Sequence, residues 1–299
     1  MTPASRRLPE TAVRCVEYQA IVQAVERLCI EACHRLPPDV LEALGRAAAS
    51  ESHALARDIL GQLIENASLA WDQMIPLCQD TGLAVVFVEQ GADVMIRPPE
   101  GDRRLTIGDA IQAGVEAGTE KGFLRRSVVA DPLNARQNTG SNTPAIVHTA
   151  IVPGDRLRIT VMVKGGGCEN KSQFRMFRPT ADRQQVLDWI VEVVEAAGAD
   201  ACPPLIVGVG IGGDLEVSCL LSKKALLRDL SSPHPDPFYA RMEKDLLSAV
   251  NACGLGPQGL GGDTTALAVL IETAACHIAS LPVAVNIECH SHRHKTAVL

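Results

Sequence analysis

Residues 76–91 read PLCQDTGLAVVFVEQG and mark the point where the pattern of the chain changes. Before this stretch, from about residue 13 to 70, apolar residues recur every three or four positions, which predicts helices broken once at Pro37-Pro38. The run LAVVFVEQG is rich in β-branched residues and predicts a strand. The sequence therefore predicts an α+β protein, with a helical N-terminal layer (residues 1–75) packed on a mixed sheet domain (residues 76–299) that carries glycine-rich loops.

Cys78 stands out within this stretch because Gln79, Asp80, Thr81 and Gly82 follow it directly. A cysteine that only packs in a core behaves as a small hydrophobe and is satisfied by apolar neighbours. Polar groups and a turn-former beside the thiol indicate a functional site at the start of the strand. The local pattern leaves open whether Cys78 packs or acts as a ligand.

Downstream of residue 91, strand and helix patterns alternate irregularly. Strands are predicted at residues 93–99, 155–167 and 203–213, and helices at residues 106–122, 183–198 and 215–227. Residues 264–289 lack Lys and Arg over a length that could span a bilayer. Because Glu272, His277 and Pro282 interrupt this stretch, we predict a buried helix followed by a buried strand rather than a membrane span.

Composition limits the classes of partner. The chain has 299 residues, 46% of them hydrophobic, and a formal net charge of -7. Nucleic acids and anionic membranes require a clustered basic surface, so small molecules and proteins are the expected partners. Residues 1–15 lack the apolar core of a signal peptide, which predicts a cytoplasmic protein with reduced thiols.

The ten cysteines include no CxxC pair, which excludes zinc-ribbon and thioredoxin-like sites by spacing. Cys29 and Cys33, with His34 beside them, have helical spacing and are interpreted as core neighbours rather than metal ligands. His290, His292 and His294 alternate, which would place them on one face of a strand. A solvated chain end is favoured over zinc there, although the spacing leaves zinc open.

Two glycine-rich motifs are candidates for ligand binding. Residues 208–213, GVGIGG, match G-x-G-x-x-G, and we interpret them as a glycine loop after a buried strand. The second strand and acidic residue of a dinucleotide site are missing, which favours close backbone packing or anion binding by loop amides. Residues 164–171, KGGGCENK, predict a tight turn, with anion binding by successive amides as the alternative.

Six motifs in one order resemble the iron-sulfur hydro-lyases of the class I fumarase and tartrate dehydratase family. They are CQDTG, NTGSNTPA, KGGGCENK, ACPPLIVGVGIGG, GLGPQGLGG and VAVNIECHSHRH, spread over roughly residues 40 to 295. The chain is similar to the α subunit, or N-terminal half, of that family.

The resemblance implies that Cys78, Cys202 and Cys289 hold a [4Fe-4S] cluster. Clusters usually take four thiolates. Three ligands would leave one iron free to bind a substrate hydroxyl and carboxylate as a Lewis acid. Cys168 lies where fumarases usually carry serine and tartrate dehydratases carry cysteine, and it is not counted as a ligand.

The resemblance also implies the residues around the substrate. Arg125 would clamp a carboxylate, with Arg126 as the alternative one position along. Gln79 and Gly167 would contact substrate carboxylates through a side-chain amide and a backbone N–H. Asp80 and His277 would handle protons.

The family's threonine base and further substrate-binding Arg and Lys belong to its C-terminal domain or β subunit. The resemblance therefore implies a separate β subunit and an oligomer with an α–α contact, expected to be a heterotetramer. The expected reaction is reversible hydration of fumarate to malate, with L(+)-tartrate dehydration to oxaloacetate as the alternative. A cluster-free module that has lost catalysis, and a nucleotide-binding protein using residues 208–213, are competing hypotheses.

Overall fold

The structure is a computed structural model that describes residues 13–299. Residues 1–12, which supply most of the cytoplasmic prediction, lie outside the described residues. The strands are β1 (Arg14–Glu17), β2 (Leu83–Gly91), β3 (Val94–Arg97), β4 (Ile146–Val152), β5 (Leu157–Lys164), β6 (Gln173–Phe177), β7 (Leu205–Gly213), β8 (Ala266–Cys276), β9 (Leu281–Glu288) and β10 (His294–Val298). The helices are α1 (Tyr18–His34), α2 (Pro38–Ser50), α3 (Ala54–Asp72), α4 (Ile107–Lys121), α5 (Gly166–Glu169), α6 (Arg183–Ala197), α7 (Leu215–Ala225) and α8 (Pro237–Ala252).

Two four-stranded sheets share one pairing pattern. The first has the order β10-β5-β2-β4 and the second β6-β9-β7-β8. In each sheet a central strand, β2 or β7, runs antiparallel to one neighbour and parallel to the other. The predicted α+β class is confirmed.

Successive side chains of each strand point to opposite faces of its sheet, which divides the core into layers. One face of β2 and β5 packs against α1 and α4, and one face of β7 and β9 packs against α6 and α8. The opposite faces enclose the end of α7, where Ala225 and Leu226 meet Phe87, Met162 and Ile206. The segment α7 therefore lies between the two sheets.

The helical prediction for residues 13–70 is confirmed from residue 18 onward in α1, α2 and α3, but it is wrong for residues 14–17, which form β1 and pair with β3, and a second break is present. The chain leaves helical geometry at Glu51 as well as at Pro37. The Glu51 carboxylate accepts hydrogen bonds from the backbone N–H groups of His53, Asp263 and Thr264 at 2.9–3.2 Å. These long-range contacts favour the break, and helical periodicity cannot reveal them.

The prediction of a helix early in residues 264–289 is wrong, because this segment forms β8. Strand β8 pairs in parallel with β7 along most of its length. A short apolar run suits a buried strand as well as a buried helix, and tertiary pairing decides between them. The later prediction of a strand is confirmed in β9. No helix among the described residues is long and apolar enough to cross a bilayer.

The glycines of residues 208–213 lie within β7 rather than in a loop, so the predicted glycine loop is corrected. A Cβ atom on Gly208 would lie 2.1 Å from the Ser222 carbonyl oxygen, and one on Gly210 would lie 2.0 Å from that of Ser218. The glycines let the backbone of α7 pack directly on the strand, which supports the close-packing alternative.

Candidate active site

Three thiols converge where the two sheets meet. Cys78 precedes β2, Cys202 precedes β7, and Cys289 follows β9. Because Ile206 pairs with Glu288, Cys202 and Cys289 lie at the same end of the second sheet. The pKa of Cys202 is raised, first by burial and then by the negative charges of Cys289 and Cys78. The three sulfurs are thus near enough to influence one another.

Cys202 is held in an unusual backbone conformation. Its φ of 55° and ψ of 63° lie in the left-handed region, between a 3₁₀ turn at Ala199–Ala201 and Pro203. Such geometry costs a non-glycine residue free energy and concentrates at functional sites. His290 Nδ1 lies 3.0 Å from the Cys202 carbonyl oxygen. As a residue Cys202 is exposed, although the packing around its thiol is enough to raise the thiol pKa.

The loop that carries Cys78 directs an amide at its sulfur. The backbone N–H of Asp80 donates to Cys78 Sγ at 3.4 Å. The Asp80 carboxylate Oδ2 accepts from the Gly166 N–H at 3.0 Å. Asp80 therefore links the cysteine loop to the glycine turn after β5.

Cys289 is buried beside Cys168. Ligand atoms of Cys168, Glu288 and Cys289 lie within 4.8 Å of one another. The pKa of Cys289 is lowered to about 5, mainly because the Cys168 thiol donates to it. The same bond and burial raise the pKa of Cys168. The Cys168 thiol also donates to the Ala201 carbonyl oxygen at 3.3 Å, so Cys289 and this carbonyl compete for one thiol proton.

The three-cysteine set fits an iron-sulfur cluster better than one small ion. Cys78, Cys202 and Cys289 do not all lie within 4.8 Å of one another, whereas Cys168, Glu288 and Cys289 do. Thiolate sulfur is the usual protein ligand of such clusters, and hydrogen bonds to the sulfurs tune them. The donor chemistry and the Asp80 amide agree with a multinuclear iron group.

An open cleft of about 580 Å³ is lined by Asp80, whose backbone N–H contacts Cys78 Sγ, and not by the three cysteines themselves. Its charged lining consists of Asp80, Arg125, Arg126, Lys164, Glu169 and Lys223. Cations predominate, so the cleft suits an anion of small-molecule size.

Two residues that the sequence did not single out join the cleft loops. The Thr81 hydroxyl accepts from the Arg125 N–H at 2.7 Å. Asn142 Oδ1 accepts from the Ser127 N–H at 2.7 Å, and its Nδ2 donates to the Gly82 carbonyl at 3.2 Å. Asn142 has a φ of 61°. The polar motif NTGSNTPA, which contains Asn142, was the sequence signal for these contacts. Its role is to connect the loop that carries Arg125 to the CQDTG loop.

A buried ion pair lies behind the site and was also missed. Lys164 Nζ donates to the Ile287 carbonyl at 2.6 Å and lies 3.5 Å from Glu288 Oε2. Both side chains are 1% exposed. Burial opposes the charge of Lys164 and is the largest single effect, but the negative charges of Glu288, Cys168, Glu169 and Cys289 together outweigh it, and the Lys164 pKa is raised. The sequence signal that could have revealed this pair is a lysine and a glutamate at the ends of apolar strands.

Of the other predicted site residues, Gln79 and Gly167 lie on segments of the site, and His277 does not. Gln79 is exposed next to Cys78, and Gly167 is exposed in α5. His277 is exposed after β8, whose 11 residues put it roughly 30 Å from the end that holds Cys202 and Cys289. The described chain does not bring His277 to the cleft.

The predicted solvated histidine end is wrong. His290 and His292 lie in a turn, and only His294 lies in a strand, so they do not share a strand face. His292 is 0% exposed. Antiparallel pairing of β10 with β5 covers this segment. Cys29 and Cys33 are buried in the core of the first sheet, as expected of packing residues.

Comparisons with known proteins agree with this geometry. The profile of the fumarate hydratase (Fumerase) family matches residues 22–298. A putative L(+)-tartrate dehydratase subunit alpha from Methanocaldococcus jannaschii is 40% identical over 277 residues, covering 91% of this chain and 95% of the relative. The L(+)-tartrate dehydratase subunit alpha of Escherichia coli strain K12 is 34% identical over 267 residues, covering 89% and 86%. The family prediction is confirmed: the chain belongs to the fumarate hydratase (Fumerase) family of hydro-lyases.

Proposed function

We propose that this chain is the α subunit of an iron-sulfur hydro-lyase that removes water from a 2-hydroxy dicarboxylate, with L(+)-tartrate as the first candidate. The observation that carries the proposal is the convergence of three thiols beside a cation-lined cleft. The names of the relatives favour tartrate over malate. The product of tartrate dehydration would be oxaloacetate.

In this proposal Cys78, Cys202 and Cys289 hold a [4Fe-4S] cluster. When bound, the cluster would supply a Lewis-acidic iron for the substrate hydroxyl. The Asp80 amide donates to Cys78 Sγ, and Cys168 stabilises the thiolate of Cys289. The protein thus contributes hydrogen bonds as well as ligands.

The substrate carboxylates bind to groups at the edge of the cleft. Arg125 offers a guanidinium fork, and the Thr81 hydroxyl fixes its backbone. Arg126 lines the same cleft and stays the alternative. Gln79 and the Gly167 amide are exposed on the neighbouring loops and complete the carboxylate contacts.

Asp80 is the candidate for moving a proton within this chain. Its carboxylate lines the cleft and is oriented by the Gly166 N–H. Loss of water requires a proton to leave C3 and the hydroxyl to leave C2 as water. We assign Asp80 to the proton that joins the departing hydroxyl, and a group of the β subunit to C3. His277 is left out of the single-chain site because of its position.

The partner is a separate β subunit, in keeping with relatives named as alpha subunits. The second candidate reaction is the hydration of fumarate to malate, favoured by the family name. Both reactions use a dicarboxylate and eliminate or add water, so one site serves either. We also propose that the protein is cytoplasmic and that the α and β subunits assemble into a heterotetramer.

The test is anaerobic purification with the β subunit, followed by iron and sulfide analysis and assays on L(+)-tartrate, malate and fumarate. Cluster-bound protein that dehydrates tartrate is the expected result. Turnover of fumarate without tartrate would reverse the order of the candidates. A colourless, iron-free and inactive complex would overturn the proposal and favour a cluster-free module.

A further inference from the structure

Arg293 is a buried cation that no carboxylate of residues 13–299 pairs with. The residue is 2% exposed, and its Nε has no hydrogen-bond partner among the residues that the structure describes. Other cations removed from solvent are matched: Lys164 faces Glu288, and Arg228 faces Glu243 at 2.7 Å. Arg293 forms no ion pair with a carboxylate in the part of the chain that the structure describes. A buried charge is costly unless an opposite charge compensates it.

The guanidinium group of Arg293 lies among the predicted cluster ligands. It donates through Nη1 to the Asp80 carbonyl, two residues after Cys78. A Cβ atom on Gly165 would lie 3.1 Å from Arg293 Nη2, so the glycine gives the guanidinium its room. The backbone carbonyl of Arg293 accepts from the Val163 N–H at 2.8 Å, which anchors the residue four positions after Cys289.

The electrostatics agree with this placement. Burial opposes the charge of Arg293, yet its pKa is raised by the negative charges of Cys33, Cys289, Glu288 and Cys78. Glu288 is already matched by Lys164. Cys33 is protonated at neutral pH, because burial raises its own pKa to about 11. The counter-charges that remain are Cys289, Cys78 and whatever anionic group they hold.

We infer that Arg293 is a positioning residue whose guanidinium is the counter-charge of the thiolate-bound cluster. The inference rests on the proposed function and adds a residue that retains the cofactor without touching substrate. Without the cluster, Arg293 is an under-compensated buried charge that contributes little stability. With the cluster, the same charge opposes loss of iron, because a buried cation attracts the net-negative thiolate-bound group.

The variants Arg293→Gln and Arg293→Lys test the inference as a pair. The two replacement side chains are similar in length, and only lysine keeps the positive charge. Arg158→Gln, on the exposed side of β5, is the control for loss of a surface arginine. Each protein is reconstituted anaerobically with iron and sulfide, and iron release to a chelator is timed. The melting temperature of the cluster-free form is measured separately.

We expect Arg293→Gln to release iron about tenfold faster or more, the range for residues that support metal ligands. Arg293→Lys and Arg158→Gln should stay close to wild type. Cluster-free Arg293→Gln should melt no lower than cluster-free wild type, which a merely structural role would not allow. Unchanged iron release, equal losses in the Lys and Gln variants, or failure of the Gln variant to fold without cluster would each overturn the inference. A wild-type chain that binds no iron would remove the proposed function as well.

Discussion

The two four-stranded sheets can be compared position by position, because β2 and β7 have equivalent neighbours. In the first sheet Cys78 precedes the central strand, and Cys168 follows its antiparallel partner β5. In the second sheet Cys202 precedes the central strand, and Cys289 follows its partner β9. Each sheet thus supplies two cysteines from matching places, and all four lie near the candidate site.

The sheets differ in what these places hold. At the end of β5 stands Lys164, and at the end of β9 stands Glu288, and the two form a buried ion pair. The central strand β2 is apolar, whereas β7 carries glycines that admit α7. The same pairing pattern therefore places a cation at the end of β5 and an anion at the end of β9. The following predictions test how far the equivalent positions are equivalent in function.

The largest effect is expected from Cys202→Ser. The hydroxyl resists deprotonation, so the variant loses a proposed ligand and iron retention should fall by more than about 100-fold, beyond the usual effect of supporting residues. Iron and sulfide per chain after anaerobic reconstitution measure it. Cys276→Ser, an exposed cysteine at the far end of β8, is the matched control. Full iron content in Cys202→Ser would remove Cys202 from the ligand set.

The next effect concerns the ion pair between the sheets. Lys164→Met leaves Glu288 buried and unpaired, so the free energy of unfolding should fall by about 3–5 kcal/mol. Urea denaturation of the cluster-free chain measures it. Lys121→Met, which breaks an exposed pair with Glu26, should cost less than about 1 kcal/mol. If both variants lose the same amount, the buried pair has no special role.

A smaller effect is expected where α7 meets β7. Gly210→Ala would place a Cβ 2.0 Å from the Ser218 carbonyl oxygen. The helix must shift, at a cost of about 1–3 kcal/mol or more. Gly45→Ala, in the interior of α2 with nothing within 4 Å of the added atom, should instead gain about 0.5–1 kcal/mol. Thermal unfolding compares them, and a neutral Gly210→Ala would contradict the tight packing.

Local patterns predicted the fold where they were long and regular. Helices α4 and α6 and strands β2 and β5 follow from periodicity, and their caps and turns agree. The segment that forms β8 was misassigned because its apolar run carries no helical or strand period of its own.

The site was predictable only through motifs. Cys78, Cys202 and Cys289 are far apart in sequence, and strand pairing brings their segments together. Neither Thr81 nor Asn142 could be placed, because each acts through a backbone group in another loop. Arg293 is likewise recognisable only from its burial among other segments.

The smallest effect tests Cys168, the one of the four equivalent cysteines that is not assigned as a ligand. Cys168→Ser keeps a donor beside Cys289, so iron retention should change by less than about tenfold, the lower limit for supporting residues. Cys168→Ala removes the donor that lowers the Cys289 pKa, and should lose iron faster. Iron release to a chelator ranks the two variants.

The ranking separates two roles for Cys168. A supporting donor predicts that Ser retains more iron than Ala, because only the hydroxyl can replace the thiol proton. A fourth ligand predicts that both variants fail as severely as Cys202→Ser, because neither side chain offers a thiolate. The second outcome would make the two sheets equivalent in function as well as in pairing, and it would leave no iron open for substrate.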